Sequence, residues 1–145
     1  MIDRFERFSV AIAEISRCWH KLATEEMKKY GLKGSHAIYL TTLCRHDDGL
    51  TAPQLCELCG KDKADVSRSV AKMAEIGLLE RTGTNPYRAK LKLTEQGIAA
   101  AQAARKTAEV IVDRVGGDLT PEKRAVFYEV LASVTLNLEN LCKEI

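Results

Sequence analysis

The residues best suited to chemistry are the cationic side chains between positions 61 and 94. Lysine and arginine bond phosphate oxygens, and one guanidinium can bond N7 and O6 of a guanine together. The segment carries eight basic and four acidic residues, so its formal charge is +4, whereas the remaining residues sum to −2. This concentration of positive charge indicates a contact with nucleic acid. The basic residues are Lys61, Lys63, Arg68, Lys72, Arg81, Arg88, Lys90 and Lys92.

Residues 62–76 predict a helix with one apolar and one polar face. Asp62 is a favourable N-cap residue, and Gly77 can end the helix. The apolar stripe consists of Val66, Val70, Met73 and Ala74. On the polar face we expect Arg68 to read bases and Lys63 and Lys72 to contact phosphates. The residues that we expect to face DNA are Lys63, Asp65, Ser67, Arg68 and Lys72.

A shorter helix is predicted immediately before this one. Thr51 and Gln54 have the spacing of a capping box, and Pro53 suits the first turn of a helix. Gly60 can adopt the left-handed backbone that often ends a helix. Two helices joined by a tight turn are typical of a helix-turn-helix, whose second helix fits the major groove of DNA.

A two-stranded wing is predicted after the second helix. Residues 78–81 read as a short strand, 83–86 as a turn, and 87–93 alternate between apolar and basic. The alternation places Tyr87, Ala89, Leu91 and Leu93 on one face. It places Arg88, Lys90 and Lys92 on the other, where they could contact phosphates or the minor groove.

The segments LTAPQLCELCGKDKADVSRSVAKMAEIGLLER (50–81) and RAKLKLTEQG (88–97) resemble the MarR family of bacterial transcription regulators. The resemblance implies a homodimer that binds a pseudo-palindromic operator in double-stranded DNA. It also implies repression that is released by a small ligand or by thiol oxidation. The family's wing usually has an Asp two residues before its minor-groove Arg. Arg88 corresponds to that Arg, but Pro86 stands where the Asp is expected, so Lys90 is kept as the alternative.

Long amphipathic helices are predicted at both ends of the chain. The first, over residues 2–29, has an apolar stripe of Phe5, Phe8, Ile12, Ile15, Trp19 and Leu22. Ser35 is expected to cap a short second helix, Thr94 a helix that reaches Val115, and Thr120 the last helix. That last helix has a stripe of Phe127, Leu131, Val134, Leu138, Leu141 and Ile145.

These stripes exceed what one small domain can cover, which favours a two-fold dimer over packing within one chain. The predicted fold is therefore mainly α with a β wing: a winged helix-turn-helix with long dimerisation helices. Residues 35–94 would form the DNA-binding region, and residues 1–30 and 95–145 the dimerisation helices.

The five cysteines include a C-x-x-C at Cys56 and Cys59, but no second ligand pair completes a zinc site. Apolar packing of at least one of these two is expected instead. Peroxide-sensing relatives use a cysteine near the start of the first helix, and Cys18 is the candidate here. The surrounding residues do not decide whether Cys18 reacts.

The three histidines, His20, His36 and His46, lack metal-ligand spacing, and no cofactor or metal is expected. Relatives often bind effectors between the first helices and the DNA-binding region. The corresponding candidates are Trp19, His36, Tyr39 and Leu40, although for any one of them an ordinary core position is the favoured interpretation.

The length of 145 residues allows one domain, and 46% hydrophobic and 29% charged residues are ordinary for a globular protein. No secretory signal or membrane-length apolar run is seen, so a cytoplasmic location is expected. Nothing resembles a hydrolase or phosphate-binding motif, which makes an enzyme improbable. Two alternatives stay open: a regulator triggered by thiol oxidation, and a winged helix that binds another protein.

Overall fold

The computed structural model describes residues 3–85 and 88–145. In chain order the described elements are α1 (Arg4–Lys28), a 3-10 helix (Gly34–His36), α2 (Ala37–Cys44), α3 (Ala52–Cys59), α4 (Lys63–Glu75), β1 (Leu79–Thr82), β2 (Lys90–Leu93), α5 (Glu95–Val115) and α6 (Pro121–Lys143). The chain divides into two units, Met1–Thr107 and Ala108–Ile145. The mainly helical winged helix-turn-helix that the sequence predicts is confirmed.

Helix starts follow the predicted capping chemistry. The Gln54 amide donates to Thr51 Oγ1 at 3.3 Å, and the Thr51 amide donates to Gln54 Oε1 at 2.9 Å. Asp62 Oδ1 accepts the Asp65 amide at 2.7 Å at the start of α4. These bonds satisfy amides that have no partner inside a helix. The hydroxyls of Thr94 and Thr120 cap α5 and α6 in the same way.

The prediction that Ser35 caps the second helix is wrong. Ser35 lies inside the 3-10 helix, and the ring of the following residue makes the local bond instead. His36 Nδ1 accepts the Lys33 amide at 3.1 Å. This bond from the Lys33 amide closes the turn as a capping side chain would. The helix α2 then begins at Ala37, two residues beyond Ser35.

The hydrophobic core of the first unit lies beneath the helix-turn-helix. The apolar stripe of α4 faces it as expected, with Val66, Val70 and Met73 buried and Ala74 half-buried. Burying these side chains holds α4 on the domain while its other face stays in solvent. Further members of the core are Met27, Leu32, Tyr39, Leu40, Leu43, Leu50, Leu55, Cys59, Leu78, Leu79, Leu91, Ala100 and Ala101.

The wing is an antiparallel pair of strands with Leu79 opposite Leu93 and Thr82 opposite Lys90. The second strand is shorter than predicted, because regular pairing starts at Lys90, and the first strand is shifted by one residue to begin at Leu79. Leu50 adds an isolated bridge to Leu91 on the other side of β2. The turn before α3 is therefore bonded directly to the wing. The predicted positions of Pro86 and Tyr87 lie outside the described residues.

The terminal stripes are exposed in each unit. On α1, Phe5, Phe8, Ile12, Ile15, Trp19 and Leu22 are all exposed. On α6, Phe127, Leu131, Leu138 and Leu141 are exposed and Val134 is half-buried, and Ile145, just beyond the helix, is exposed as well. Contiguous apolar surface of this kind marks an interaction site. None of the helices in the described part of the chain is both long and apolar enough to cross a membrane.

Candidate nucleic-acid interface

The exposed face of α4 carries four of the five residues predicted to face DNA. Lys63, Ser67, Arg68 and Lys72 are all exposed, and the Arg68 side chain is 73% exposed. The helix that carries them is capped at Asp62 and anchored by its buried stripe, so these side chains extend from a rigid support. Such a face can place a guanidinium against base edges and ammonium groups against phosphates.

The fifth predicted residue, Asp65, does not stand free on this face. The Tyr39 hydroxyl donates a hydrogen bond to Asp65 Oδ2, and the other carboxylate oxygen lies 3.9 Å from Arg68 Nη2. Asp65 therefore lies between a buried tyrosine and an exposed arginine. A carboxylate is also a poor neighbour for phosphate. The structure thus gives Asp65 an intramolecular contact and not a free position facing DNA.

Ser69 and His36 also interact electrostatically with the Tyr39–Asp65 pair. Burial raises the pKa of Tyr39, and so does the hydrogen bond to Asp65, whereas a bond with Ser69 acts in the opposite direction. The pKa of His36 is lowered by burial, which outweighs the opposing attraction of Asp65, and Lys33 and Lys72 lower it further. Tyr39 therefore remains a protonated donor, and burial favours the neutral ring of His36.

The wing presents fewer free cations than its sequence suggests. Lys90 is exposed, but Lys92 is half-buried and lies opposite Glu80 in the strand register. Directly opposed side chains lie on one face of a sheet, so Lys92 has an acidic neighbour there. Arg88 is exposed beyond the end of β2, and its amide donates to the Asn85 carbonyl at 3.1 Å. Arg88 and Lys90 are therefore accessible, as is Arg81 on β1.

The predicted effector residues do not share one environment. The side chains of Tyr39 and Leu40 are completely buried in the core, so they do not line an open cleft in this chain. Trp19 is 46% exposed on α1, and His36 is buried with its ring nitrogen bonded to the Lys33 amide. The structure supports the core alternative for Tyr39 and Leu40. An effector site at Trp19 and His36 stays a prediction.

All five cysteines lie within the described residues and are free thiols. Cys59 is buried, and its Sγ donates to Thr42 Oγ1 at 3.5 Å, which confirms packing for this member of the C-x-x-C. Cys18 is exposed, and Arg17 Nη2 lies 3.8 Å from its Sγ. Among residues 3–85 and 88–145, no group of three His, Cys, Asp or Glu side chains could hold a metal ion.

The contact between Tyr39 and Asp65 escaped sequence reasoning. The two residues are 26 positions apart, and neither belongs to a motif that pairs them. A tyrosine in an apolar helix reads as core, and an acidic residue three after an N-cap reads as a helix-start preference. The only available signal was that a buried phenol needs a hydrogen-bond partner.

The MarR family model matches residues 30–86, which span α2 to the start of the wing turn. Over these residues the chain is similar to the MarR family, and its winged helix-turn-helix is the part that carries the similarity. No curated protein sequence matches the chain significantly.

Solved MarR structures share the fold well beyond that region. A MarR protein from Peptoclostridium difficile is 17% identical, with 97% of this chain and 94% of that chain covered and a TM-score of 0.83. A MarR transcriptional regulator from Methanosarcina mazei Go1 is 22% identical, with coverages of 100% and 95% and a TM-score of 0.80. A MarR family regulator from Listeria monocytogenes, solved with a 26mer DNA, is 20% identical, with coverages of 97% and 91% and a TM-score of 0.77. At these identities the likeness shows the fold.

Proposed function

We propose that this chain, which is similar to the MarR family, is a sequence-specific DNA-binding transcription regulator. The observation that carries the proposal is the exposed polar face of α4, where Lys63, Ser67, Arg68 and Lys72 extend from a helix held by a buried stripe. The wing beside it offers Arg88 and Lys90. The Listeria monocytogenes structure, which contains DNA, supports duplex DNA as the partner. A chromosomal operator would place the protein's action in the cytoplasm.

In the proposed complex α4 lies in the major groove, with Arg68 bonded to N7 and O6 of a guanine. Lys63 and Lys72 contact phosphates on either side of the groove, and Arg88 or Lys90 enters the minor groove. Asp65 contributes through its contact with Arg68 and not through a base of its own. Most of the affinity then comes from phosphates and falls with salt, whereas Arg68 provides base discrimination.

The proposed regulator is a homodimer. The exposed apolar stripes of α1 and α6 support this proposal, because stripes of this length need a partner surface. Residues 1–30 and 95–145 would form the dimer, and residues 35–94 would bind DNA. Two-fold symmetry would set two copies of α4 about one DNA turn apart, roughly 34–36 Å, so the operator would be an inverted repeat.

Regulation is proposed to act on the spacing of these two helices. A ligand that binds one dimer geometry more tightly shifts the population toward it, without touching any DNA contact. Repression relieved by a small molecule is the arrangement we favour. Oxidation of the exposed Cys18 thiol is the second candidate trigger, which the closeness of Arg17 favours.

Selection of bound duplexes from a random library tests the proposed function. We expect an enriched inverted repeat whose half-sites are about 10 base pairs apart, centre to centre. Enrichment of a single half-site would contradict the dimer and leave the DNA function intact. A library without any enriched sequence would contradict specific DNA binding, and the winged helix would then be a protein-binding module.

A further inference from the structure

Tyr39 is a polar group placed in the hydrophobic core of the first unit. Its side chain is fully buried, yet its hydroxyl reaches the first turn of α4 and donates to Asp65 Oδ2. Burying a hydroxyl is unfavourable unless it is bonded, and a bond to a carboxylate is stronger than one between neutral groups. The contact therefore fixes the Asp65 carboxylate against α2.

The fixed carboxylate also faces the proposed base reader. Asp65 Oδ1 lies 3.9 Å from Arg68 Nη2, and Arg68 is three residues further along the same helix. Tyr39 bonds one carboxylate oxygen, and Arg68 approaches the other. The Arg68 side chain is highly exposed, and this carboxylate is the charged group that the structure places beside its guanidinium.

We propose that Tyr39 is a positioning residue for base recognition: through Asp65 it orients the Arg68 guanidinium on the DNA-facing side of α4. The proposal deepens the proposed DNA-binding function and rests on it. Reading N7 and O6 of one guanine requires the plane of the guanidinium to match the plane of the base. A preset orientation lowers the entropy that Arg68 loses when it binds.

The surroundings of the contact make it durable. The Asp65 amide is bonded to Asp62 Oδ1 at 2.7 Å, which holds the backbone of this turn. The bond to Tyr39 and the capped turn thus restrain the Asp65 carboxylate, and removal of the phenolic hydroxyl is the smallest change that would release it.

A double-mutant cycle on specificity tests the proposal. Tyr39→Phe keeps the ring in the core and removes only the hydroxyl. Tyr30→Phe is the matched control, since Tyr30 is a half-buried tyrosine packed against the same core. Each change is made with Arg68 and with Arg68→Ala. The measured quantity is the ratio of Kd for a shuffled duplex to Kd for the selected duplex, at fixed salt.

With Arg68 present, we expect Tyr39→Phe to lower this ratio by about three- to tenfold, the effect of one hydrogen bond. In the Arg68→Ala background we expect less than about a twofold change, because the residue being positioned is gone. The affinity for the shuffled duplex and its salt dependence should stay as in the wild type. Tyr30→Phe should leave the ratio unchanged in both backgrounds.

An equal loss of specificity in both backgrounds would overturn the proposal, since Tyr39 would then act only through the placement of α4. An unchanged ratio with Arg68 present would overturn it as well. If Tyr39→Phe does not fold by circular dichroism, Asp65→Asn replaces it, with the same loss expected only when Arg68 is present. A wild-type protein without any sequence preference would contradict the proposed function itself, and this inference with it.

Discussion

The backbones of Leu50 and Leu91 exchange two hydrogen bonds. The Leu50 amide donates to the Leu91 carbonyl at 3.1 Å, and the Leu91 amide donates to the Leu50 carbonyl at 2.7 Å. Leu50 ends the turn before α3, and Leu91 lies in the second strand of the wing. The wing is thereby bonded to the start of the helix-turn-helix, so the two parts of the proposed DNA surface keep a fixed relation.

Gly49 makes this junction sensitive to substitution. Its φ is +85°, and a Cβ there would lie 2.9 Å from the Leu91 carbonyl oxygen and 2.8 Å from Lys92 Cγ. We expect Gly49→Ala to lower the free energy of unfolding by at least about 2 kcal/mol. Gly31→Ala is the control, because Gly31 has φ +71° and open space, and should cost only about 1 kcal/mol. Urea denaturation measures both, and equal losses would show that the close approach to β2 is unimportant.

Arg68 and Lys90 should have separable roles in binding. Arg68→Ala should cost about 1–3 kcal/mol on the preferred duplex and relax the preference at one position of each half-site. Lys90→Ala should weaken all duplexes alike and reduce the slope of log Kd against log salt by about one. Binding-site selection and salt titration distinguish these effects. An unchanged base preference after Arg68→Ala would remove Arg68 as the reader.

Asp62 should matter for stability and oppose DNA binding. Asp62→Ala removes the oxygen that caps α4, so the free energy of unfolding should fall by about 1 kcal/mol. Asp62→Asn keeps a capping oxygen and should stay close to the wild type in stability. Both changes remove one negative charge close to where the DNA phosphates would lie in the proposed complex. They should therefore raise the affinity for a duplex of unrelated sequence. Thermal melts and anisotropy test this, and a loss of stability in both variants would contradict the capping role.

The apolar face of α1 should be needed for dimerisation. Ile15, which is 67% exposed, belongs to the stripe. Val10, which is 58% exposed, lies on the opposite side of the same helix. We expect Ile15→Glu to shift the protein toward monomer in sedimentation velocity, because a carboxylate would be buried at the interface. Val10→Glu should leave the dimer intact. A monomeric wild type would contradict the proposed dimer, and equal effects of the two changes would place the interface elsewhere.

His36 should make stability depend on pH. Burial lowers its pKa below the ordinary value of 6.5, so the unfolded chain binds a proton more readily than the folded one. Its contribution is full above that value, where the ring is neutral in both states, and is lost as the pH falls below it. The urea concentration at the midpoint of unfolding should therefore fall as the pH is lowered from 8 to 5, roughly one to two units either side of the ordinary value. His36→Asn, which keeps an acceptor for the Lys33 amide, should weaken the drop, whereas the exposed His20→Asn should not.

The parts of the fold that sequence predicts well are those set by neighbouring residues. The caps at Thr51, Asp62 and Thr120 depend on an oxygen and an amide three positions apart, and all three are confirmed. The stripe of α4 depends only on helical periodicity. The prediction for Ser35 was wrong because two polar residues stand at that helix start, and it is the ring of His36 that makes the bond there.

Contacts between distant segments were beyond sequence reasoning. The bonds between Leu50 and Leu91 and between Tyr39 and Asp65 depend on how whole elements pack. For this reason the sequence predicted the helix α4 and its exposed face, whereas it did not predict the contact of Asp65 with Tyr39. The position of Glu80 opposite Lys92 has the same origin, since strand register is fixed only in the folded wing.

Fluorescence anisotropy on the duplex upstream of the protein's own coding sequence tests the central claim most directly. The wild type and Arg68→Ala are each titrated against this duplex and a shuffled one, at low and moderate salt. We expect the wild type to prefer the upstream duplex at both salts, to bind more weakly at the higher one, and to lose the preference on Arg68→Ala. Failure of the wild type to bind either duplex, even at low salt, would contradict the account.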